Sequence, residues 1–451
     1  MQLTISRRLL FPAIELIFKA ADKRHNMAIL GNLKIVASPT ALELTASDLE
    51  VEVYAKVTLP EGVCQQAGQI TVPADRFHDI IKFLPSKADK VNLVVENNQL
   101  HISAGTSRFK LNTLPAEDFP HLGAVDAPSQ VQISDKDLIN LLDKTEFAVA
   151  VQDVRYYLTG MLCEFSADQL TTVATDGHRL ALATAPIQNP TQFEGSMIVP
   201  RKGVKELQRL LQRLLGENDK LARKFKKQNP VFANLASQFN LNIGKEFFQI
   251  VLPFTQVVQD TAQLAPPIWV AITTKLIDGK FPDYRRVIPT NQSNVATLDH
   301  AGLQEVLRRV AILSDEKTRG IIFNFDPIQA ELIVKAHNAD RDEATERLPI
   351  QYAGEALEIS FNVAYLLDVL EAMNRKKSQD KDDEEAFEGG ELPPVRADAD
   401  EAFDPSQVVP TFINAENSFD VVFKMGQANG SVLLEKPLEP QYQFVVMPMR
   451  I

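Results

Sequence analysis

The chain has 451 residues, 45% of them hydrophobic, which is enough to bury about two to four domains of ordinary size. Its two cysteines, Cys64 and Cys163, lie far apart and match no metal-binding or redox spacing, which argues against a zinc site or a disulfide framework. The net charge is −12, but residues 376–404 carry eleven acidic and four basic side chains, so the total charge does not exclude a basic surface elsewhere.

The N-terminal segment does not resemble an export signal. Arg7 and Arg8 interrupt its apolar residues, and no small-residue cleavage site follows. No stretch approaches the roughly 18 uninterrupted apolar residues that a membrane helix needs. We therefore expect a soluble, cytoplasmic protein without a membrane partner.

Three features recur in the same order along the chain: an amphipathic helix, a strand–turn–strand unit, and a short strand that leads into a second helix. The first set begins at Ile5, Leu42 and Ile70. The second begins at Ile133, Leu170 and Met197, and the third at Leu298, Glu331 and Glu358. The nearly constant spacing of nine ordered matches indicates three copies of one module.

Each module is predicted to be α+β, with two helices covering one face of a sheet. The expected modules are residues 1–127, 128–292 and 293–451. The second carries extra residues at about 217–267, rich enough in Phe, Leu and Val to fold locally, and the third carries an acidic stretch at about 376–409 with the composition of a disordered segment. A tandem repeat favours a binding scaffold over an enzyme with one active site.

The string Thr175-Asp176-Gly177-His178-Arg179 invites two interpretations. A neighbouring Asp and His could act as a general acid and base in a hydrolase. Asp-Gly is also a strong signal for a two-residue hairpin turn, and this structural interpretation is favoured. No nucleophile motif, phosphate-binding glycine loop or metal motif appears elsewhere, so neither a cofactor nor a metal is expected.

Basic residues recur every four positions on the second helix of the second module, at Arg201, Lys205, Arg209 and Arg213. Because the apolar residues between them form the opposite face, this basic stripe should face solvent or an anion. A solvated face is the commoner explanation for one helix. When all three modules carry basic residues, contact with a phosphate backbone is the better explanation. Those on the other modules are Arg24, Arg76, Lys82, Arg308 and Arg309.

At this point the sequence resembles a known family, the bacterial DNA polymerase III beta subunit or sliding clamp. The matching strings are spread over all three modules: ILGNL at Ile29, TLPAEDFP at Thr113, QDVRYYL at Gln152, ATDGHRLA at Ala174, VPRKGV at Val199, DGKFPDYRRVIP at Asp278, FNVAYLLDVL at Phe361 and the terminal VVMPMRI.

The resemblance implies a homodimer in which two chains of three modules close a six-module ring around duplex DNA. Helices would line the inside and sheets the outside. A basic helical lining neutralises phosphates without reading bases, so binding would be independent of sequence. The residues implied near DNA are Arg24, Gln152, Tyr156, Tyr157, Arg201, Lys202, Lys205 and Arg209.

The resemblance also implies a pocket for short peptides of the replicative polymerase, the clamp loader and repair proteins, as well as a dimer seam. The pocket residues would be Arg155, Leu158, Thr175, Gly177, His178, Arg179, Leu180, Pro282, Arg286, Val287, Asn362, Tyr365, Val445, Met447, Pro448, Met449 and Arg450. The seam would comprise Arg108, Phe109, Leu111, Ile312 and Leu313, with acids such as Asp342 and Glu343 beside it. Without the resemblance, Met447 and Met449 would be interpreted as core residues. The alternatives to a clamp are a scaffold that binds only proteins and, less favoured, a hydrolase using Asp176 and His178.

Overall fold

The computed structural model describes residues 1–85, 87–123, 129–235, 238–258, 261–290, 292–374 and 420–449. The whole predicted acidic stretch (376–409) and Arg450 lie outside these residues. The helices are α1 Arg7–Ile17, α2 Ala74–Phe83, α3 Asp135–Thr145, α4 Arg201–Phe225, α5 His300–Val310 and α6 Val363–Asn374. Two helices fall in each predicted module, as the repeat predicts.

The strands follow the same threefold pattern. Those of the first predicted module are β1 Gln2–Ser6, β2 Asn32–Ala37, β3 Ala41–Ser47, β4 Val51–Thr58, β5 Cys64–Gln66, β6 Gly68–Pro73, β7 Lys90–Glu96, β8 Gln99–Ala104 and β9 Ser107–Asn112. Those of the second are β10 Ser129–Ser134, β11 Gly160–Phe165, β12 Gln169–Thr175, β13 Arg179–Pro186, β14 Gly195–Pro200, β15 Gln238–Ile243, β16 Phe247–Val257 and β17 Leu264–Lys275. Those of the third are β18 Asn294–Asp299, β19 Gly320–Asp326, β20 Glu331–His337, β21 Glu343–Pro349, β22 Gln351–Ala353, β23 Leu357–Asn362, β24 Asp420–Met425, β25 Val432–Glu435 and β26 Tyr442–Val446.

The chain forms two compact units that do not coincide with the three sequence modules. Unit 1 consists of residues 1–142, 149–172 and 185–281, and unit 2 of residues 143–148, 173–184 and 282–451. Unit 2 therefore combines the third module with two short segments of the second. Sequence periodicity reports the repeated elements and not their contacts, so it could not predict this division.

Unit 1 contains two antiparallel sheets and the antiparallel pair of β11 with β14. The smaller sheet has the order β5-β1-β7-β8-β9 and the larger one β10-β15-β16-β17-β4-β3-β2-β6. Strands of the first two modules meet in the larger sheet where β17 pairs with β4, with Ile272 opposite Val53. Both side chains are buried, as expected where apolar residues alternate on the inner face of a sheet.

Unit 2 contains a run of strands in the order β13-β26-β25-β24-β18-β22 and a four-stranded sheet in the order β21-β20-β19-β23. Its core is rich in phenylalanine. The Phe323 ring lies edge-on to Phe361, with centroids 5.3 Å apart, and close to Phe423 at 6.2 Å. The contact between Phe323 and Phe423 packs the four-stranded sheet against the first run of strands.

The extra residues of the second module are not one loop. Helix α4 has 25 residues where its counterpart α2 has 10, and β16 and β17 have 11 and 12. This revises the prediction of a single insertion at 217–267 in a helix-to-strand connection, because the additions lengthen a helix and a hairpin as well. The apolar residues of this stretch do fold locally: Phe225 and Phe232 are buried, with their ring centroids 5.3 Å apart.

Helix α4 approaches strand β17 closely near its N-terminus. A Cβ atom on Gly203 would lie 2.6 Å from the hydroxyl of Thr274, a distance that real Cβ contacts do not show. Gly216, three and a half turns further along the same helix, has no such neighbour. The first glycine therefore permits the packing of α4, whereas the second does not contribute to it.

Candidate functional site

The Asp-Gly string forms the predicted turn between β12 and β13. Gly177 has a φ of 88°, which a residue with a side chain adopts only with strain. The Oδ1 atom of Asp176 accepts hydrogen bonds from the amides of His178 at 2.9 Å and Arg179 at 3.0 Å. The hydroxyl of Thr175 donates to the Arg179 carbonyl at 2.6 Å. This local network holds His178 at the exposed end of the turn.

Arg179 is the central polar residue beside this turn. Its side chain is 11% exposed and donates to both Asp176, through Nε at 3.1 Å, and Asp368. It also donates to the carbonyl of Phe147 at 3.0 Å. Its guanidinium carbon lies 4.8 Å from the Tyr365 ring centroid, within the range of a cation–π interaction. Arg179 thus connects the turn to helix α6 and positions Tyr365.

Next to the turn is an open cavity of about 320 Å³, lined by His178, Asn362, Tyr365, Met447, Pro448 and Met449. We call it the methionine pocket. The His178 ring is stacked on Tyr365, with centroids 5.7 Å apart and planes 18° apart. The chain after β26 is fixed by backbone hydrogen bonds from Met447 to the His178 carbonyl, at 2.8 Å, and from Met449 to the Ser360 carbonyl, at 2.7 Å.

The lining of the methionine pocket is mostly apolar in character. The side-chain amide of Asn362 is used within the fold, because it donates to the Thr318 carbonyl at 3.1 Å and accepts from the Ala364 amide at 2.9 Å. Burial and the negative charge of Asp176 raise the pKa of Tyr365, so its hydroxyl stays protonated near neutral pH. Two thioethers, a proline and two aromatic rings form a surface that accommodates apolar side chains and can repack around different ones.

The structure brings only part of the predicted pocket set to this cavity. Thr175, Gly177 and Arg179 shape the turn beside it, whereas Leu180 and Val445 are buried opposite each other in the β13–β26 pair. Pro282, Arg286 and Val287 belong to unit 2 but do not line the cavity, and Arg286 is paired with Asp283. Arg155 and Leu158 belong to unit 1, where Arg155 is paired with Asp153.

Sequence patterns did not identify two residues that support the pocket, Asp368 and Phe147. Both contact Arg179, and Asp368 also follows Tyr365 by three positions on helix α6. Residues three apart lie on the same side of a helix, so this spacing could have suggested Asp368 as the partner of a cation near Tyr365. Nothing in the sequence pairs Phe147 with Arg179.

Two residues of the predicted basic stripe on α4, Arg209 and Arg213, are paired with carboxylates. Arg209 is paired with Glu206 and also donates to the Leu16 carbonyl, and Arg213 is paired with both Glu15 and Glu217. The nearest anions to Arg209 and Arg213 are thus carboxylates of the same unit, and contact of the stripe with a phosphate stays a prediction. A basic residue whose carboxylate partners lie beside it contributes little to the field seen by a distant phosphate.

The other residues implied near DNA also belong to unit 1. Arg24, Gln152, Tyr156, Lys202 and Lys205 are exposed, whereas Tyr157 and Arg201 are half-buried. Lys202 is paired with Asp48. Partial burial, the largest single influence, lowers the pKa of Lys202, but the hydrogen bond to Asp48 and the negative charges of Asp48, Glu50 and Asp22 together outweigh it and raise that pKa.

The residues predicted for a dimer seam differ in exposure. On β9, the edge strand of its sheet, Phe109 is 38% exposed and Arg108 is also exposed, but Leu111 is only 7% exposed. In unit 2, Ile312 is 77% exposed and Leu313 is half-buried. Leu111 packs within its own unit, so it offers far less surface to a partner than Phe109 does.

Within the described part of the chain, no three His, Cys, Asp or Glu side chains are arranged to hold a metal ion. None of the helices described is both long enough and apolar enough to cross a bilayer.

Three family models match the chain in order. They describe the N-terminal, central and C-terminal domains of the DNA polymerase III beta subunit and match residues 1–123, 132–232 and 285–381.

Individual relatives cover the chain more completely. The beta sliding clamp of Pseudomonas aeruginosa is 39% identical over 370 residues, which are 82% of this chain and 90% of the relative. A crystal structure of the sliding clamp of Pseudomonas aeruginosa bound to griselimycin superposes with a TM-score of 0.77 at 33% identity, with all of both chains covered. A griselimycin-bound clamp of Bartonella birtlesii gives a TM-score of 0.77 at 26% identity, again over all of both chains.

Proposed function

The chain belongs to the DNA polymerase III beta subunit family and is a DNA sliding clamp, and on that basis we propose how its own residues perform the task. Two copies form a ring that encircles duplex DNA, and the methionine pocket of each captures short peptide segments of the replicative polymerase, the clamp loader and repair proteins. The protein acts as a tether without catalysis of its own, in the bacterial cytoplasm where the chromosome lies.

The observation that carries the peptide-binding proposal is the assembly of the methionine pocket from three separate segments of unit 2. The turn contributes His178, helix α6 contributes Tyr365, and the C-terminal segment contributes Met447 and Met449. A volume of about 320 Å³ suits one or two apolar side chains of a peptide. The griselimycin-bound relatives support a ligand site on this fold, and we propose that griselimycin occupies the methionine pocket here.

Griselimycin titration by calorimetry tests this assignment. Tyr365→Ala removes one wall of the pocket and should weaken binding about tenfold, which is the usual cost of truncating a central contact residue. His178→Ala should weaken it less, because His178 is exposed. Leu438→Ala, an exposed apolar position in the same unit outside the pocket lining, is the matched control. Equal affinities in all three variants would refute the pocket assignment.

We propose that Asp176 and His178 have a structural role and not a catalytic one. The two oxygens of the Asp176 carboxylate accept from the amides of the turn and from Arg179, while the His178 ring stacks on Tyr365. A general base would need its basic atom directed at a reacting group. In this arrangement the carboxylate shapes the turn and the imidazole forms a wall of the pocket.

For DNA contact, we propose that the exposed residues of the predicted set contribute most. Arg24 and Lys205 are exposed and can approach a phosphate, with Gln152 and Tyr156 beside the duplex. Lys202 and Arg209 are already paired with Asp48 and Glu206, so they would contribute less. Contacts of a few cations with phosphates are weak and independent of sequence, which allows a ring to slide.

For the dimer, we propose that Phe109 and Arg108 on edge strand β9 meet Ile312 and Leu313 of a second copy. An edge strand with an exposed aromatic residue is open to pairing with another chain. Strand β21, the edge of the four-stranded sheet, offers the acidic Glu343 for contacts with basic residues such as Arg108. Sedimentation equilibrium should give a mass of two chains for the parent protein. Ile312→Asp should reduce that mass to the mass of one chain.

We also propose module boundaries at residues 1–127, 128–292 and 293–451. The first two family matches fall inside the first two modules, and the third begins at residue 285, shortly before the third boundary. Strand β18 begins at Asn294, next to that boundary. Each module then contains two helices and eight or nine of the described strands, which supports a common ancestry of the three modules.

A further inference from the structure

A second cavity of about 390 Å³ lies beside the methionine pocket in unit 2. Its lining includes Asp315, Thr318, Ile322, Ser360 and Met449. We call it the acidic cavity, because Asp315 is the one carboxylate among its described lining residues, which include His337 but neither Lys nor Arg. None of its lining residues except Met449 also lines the methionine pocket.

Ser360 gives the acidic cavity an unsatisfied polar group. The residue is 5% exposed, yet its Oγ atom has no hydrogen-bond partner within the described part of the chain. A buried hydroxyl without a partner is less stable than one that is satisfied. The neighbouring backbone is fully used, since the Ser360 carbonyl accepts from Met449. Ser360 lines the acidic cavity, and rotation of its side chain would present the unsatisfied hydroxyl to a ligand there.

Asp315 supplies a fixed negative charge at the rim. Its Oδ1 atom accepts from the amide of Thr318 at 2.8 Å, from the Thr318 hydroxyl at 3.1 Å and from the amide of Lys317 at 3.0 Å. These hydrogen bonds, first that of the Thr318 amide, lower the pKa of Asp315, so it remains ionised at neutral pH. Within the described residues Oδ2 accepts no hydrogen bond and forms no ion pair, which leaves it free for a cation.

Met449 separates the two cavities. Its thioether lies over Gly320, where a Cβ atom would be 3.8 Å from the sulfur, and its backbone is held by Ser360. The unbranched side chain can change rotamer at low cost while the backbone stays in place. A peptide that fills the methionine pocket can therefore continue past Met449 into the acidic cavity.

We propose that the acidic cavity is a second subsite, which receives a lysine or arginine side chain next to the apolar residues that fill the methionine pocket. The aliphatic stem of such a side chain would lie against Ile322 and Met449, and its cationic head would donate to Asp315 Oδ2 and Ser360 Oγ. This proposal rests on the proposed peptide-binding function and adds a preference of charge to it.

The first experiment uses overlapping 12-residue synthetic peptides that span the replicative polymerase catalytic subunit of the same organism. The tightest binder is resynthesised with lysine or norleucine at each position in turn. At one position flanking its apolar residues, lysine should bind about fivefold more tightly than norleucine, the upper range for a half-exposed ion pair. Asp315→Asn should abolish that difference, and Ser360→Ala should reduce it.

The outcomes separate the two proposals. If no position prefers lysine, or if Asp315→Asn leaves the preference intact, the acidic cavity is not a subsite for a cation. If instead Tyr365→Ala and His178→Ala do not weaken the parent peptide, the methionine pocket assignment itself fails.

A second experiment examines the acidic cavity without any peptide. In a Cys64→Ser background, Ala339→Cys places a thiol at the exposed rim, and Leu438→Cys places one at an exposed position away from the lining. Each is equilibrated with equal amounts of cystamine and bis(2-hydroxyethyl) disulfide, and the mixed disulfides are counted by intact mass. We expect the aminoethyl adduct to be favoured about fivefold at residue 339 and not at residue 438. Equal ratios at the two positions would overturn the inference.

Discussion

Replacing Arg179 with alanine should loosen unit 2 and disable the methionine pocket together. The change removes the donors to Asp176, Asp368 and the Phe147 carbonyl, as well as the cation next to the Tyr365 ring. It also leaves a carbonyl and a partly buried carboxylate without their partner, which is the costly way to break a polar network.

The magnitude follows from these contacts. Each hydrogen bond to a charged group contributes about 1.5–3 kcal/mol, and a cation–π contact about 0.5–1 kcal/mol. The sum must be reduced, because the Asp368 side chain is 46% exposed and regains water when Arg179 is lost. We expect Arg179→Ala to cost about 2–4 kcal/mol of unfolding free energy. Arg179→Lys should recover less than half, since an ammonium cannot reproduce the planar fork of donors.

Hydrogen–deuterium exchange measured by mass spectrometry is the appropriate assay, because peptides from the two units report separately. Amides in the β13–β26 pair, such as those of Arg179–Ala183, should exchange about 30-fold faster or more in Arg179→Ala. Peptides from β7 and β8 in unit 1 are the internal control and should not change. A change of less than about threefold in the β13–β26 pair would refute the view that Arg179 organises this part of unit 2.

Three further predictions follow from packing and burial. Gly203→Ala should lower the free energy of unfolding of unit 1 by about 1–3 kcal/mol through overpacking. Gly216→Ala in the same helix should raise that free energy by about 0.5–1 kcal/mol. Denaturation curves that rank the two variants in the reverse order would contradict the packing of α4. Burial raises the pKa of Cys163 to about 12, so iodoacetamide at pH 8 should modify Cys64 and leave Cys163 intact until the chain unfolds. Burial also lowers the pKa of His300 below its ordinary 6.5, so unfolding takes up a proton when the pH falls below that value. The thermal stability of the parent chain should therefore decline below about pH 6.5, and that of His300→Gln should decline less.

Much of the fold could be predicted from sequence because it depends on local patterns. The amphipathic helices, the alternating strands and the Asp176-Gly177 turn are each determined by residues close together in the chain, and repetition in three modules made each match more specific.

Features that depend on distant residues could not be predicted in this way. One of the two partners of Arg213 is Glu15, almost 200 positions away, and no periodicity links these two residues. The acidic cavity likewise combines Asp315, Ser360 and Met449 from three separate segments. For the methionine pocket, family resemblance identified residues that composition alone would have assigned to a core.

The distribution of the extra residues in the second module was also beyond the sequence pattern. A prediction of inserted length shows that residues are surplus but not where they are accommodated. In the structure they extend α4 and the β16–β17 hairpin, because the amphipathic and alternating patterns of those elements continue into the additional residues.

Retention on DNA tests the central claim most directly. The protein is loaded on nicked circular DNA by the clamp loader of the same organism, and the complex is separated from free protein by gel filtration before and after one restriction cut. A ring that encircles duplex DNA should remain on the circle and leave through the ends once the DNA is linear. Equal retention on circular and linear DNA would contradict a topological tether and favour a scaffold that binds proteins or DNA by surface contact alone.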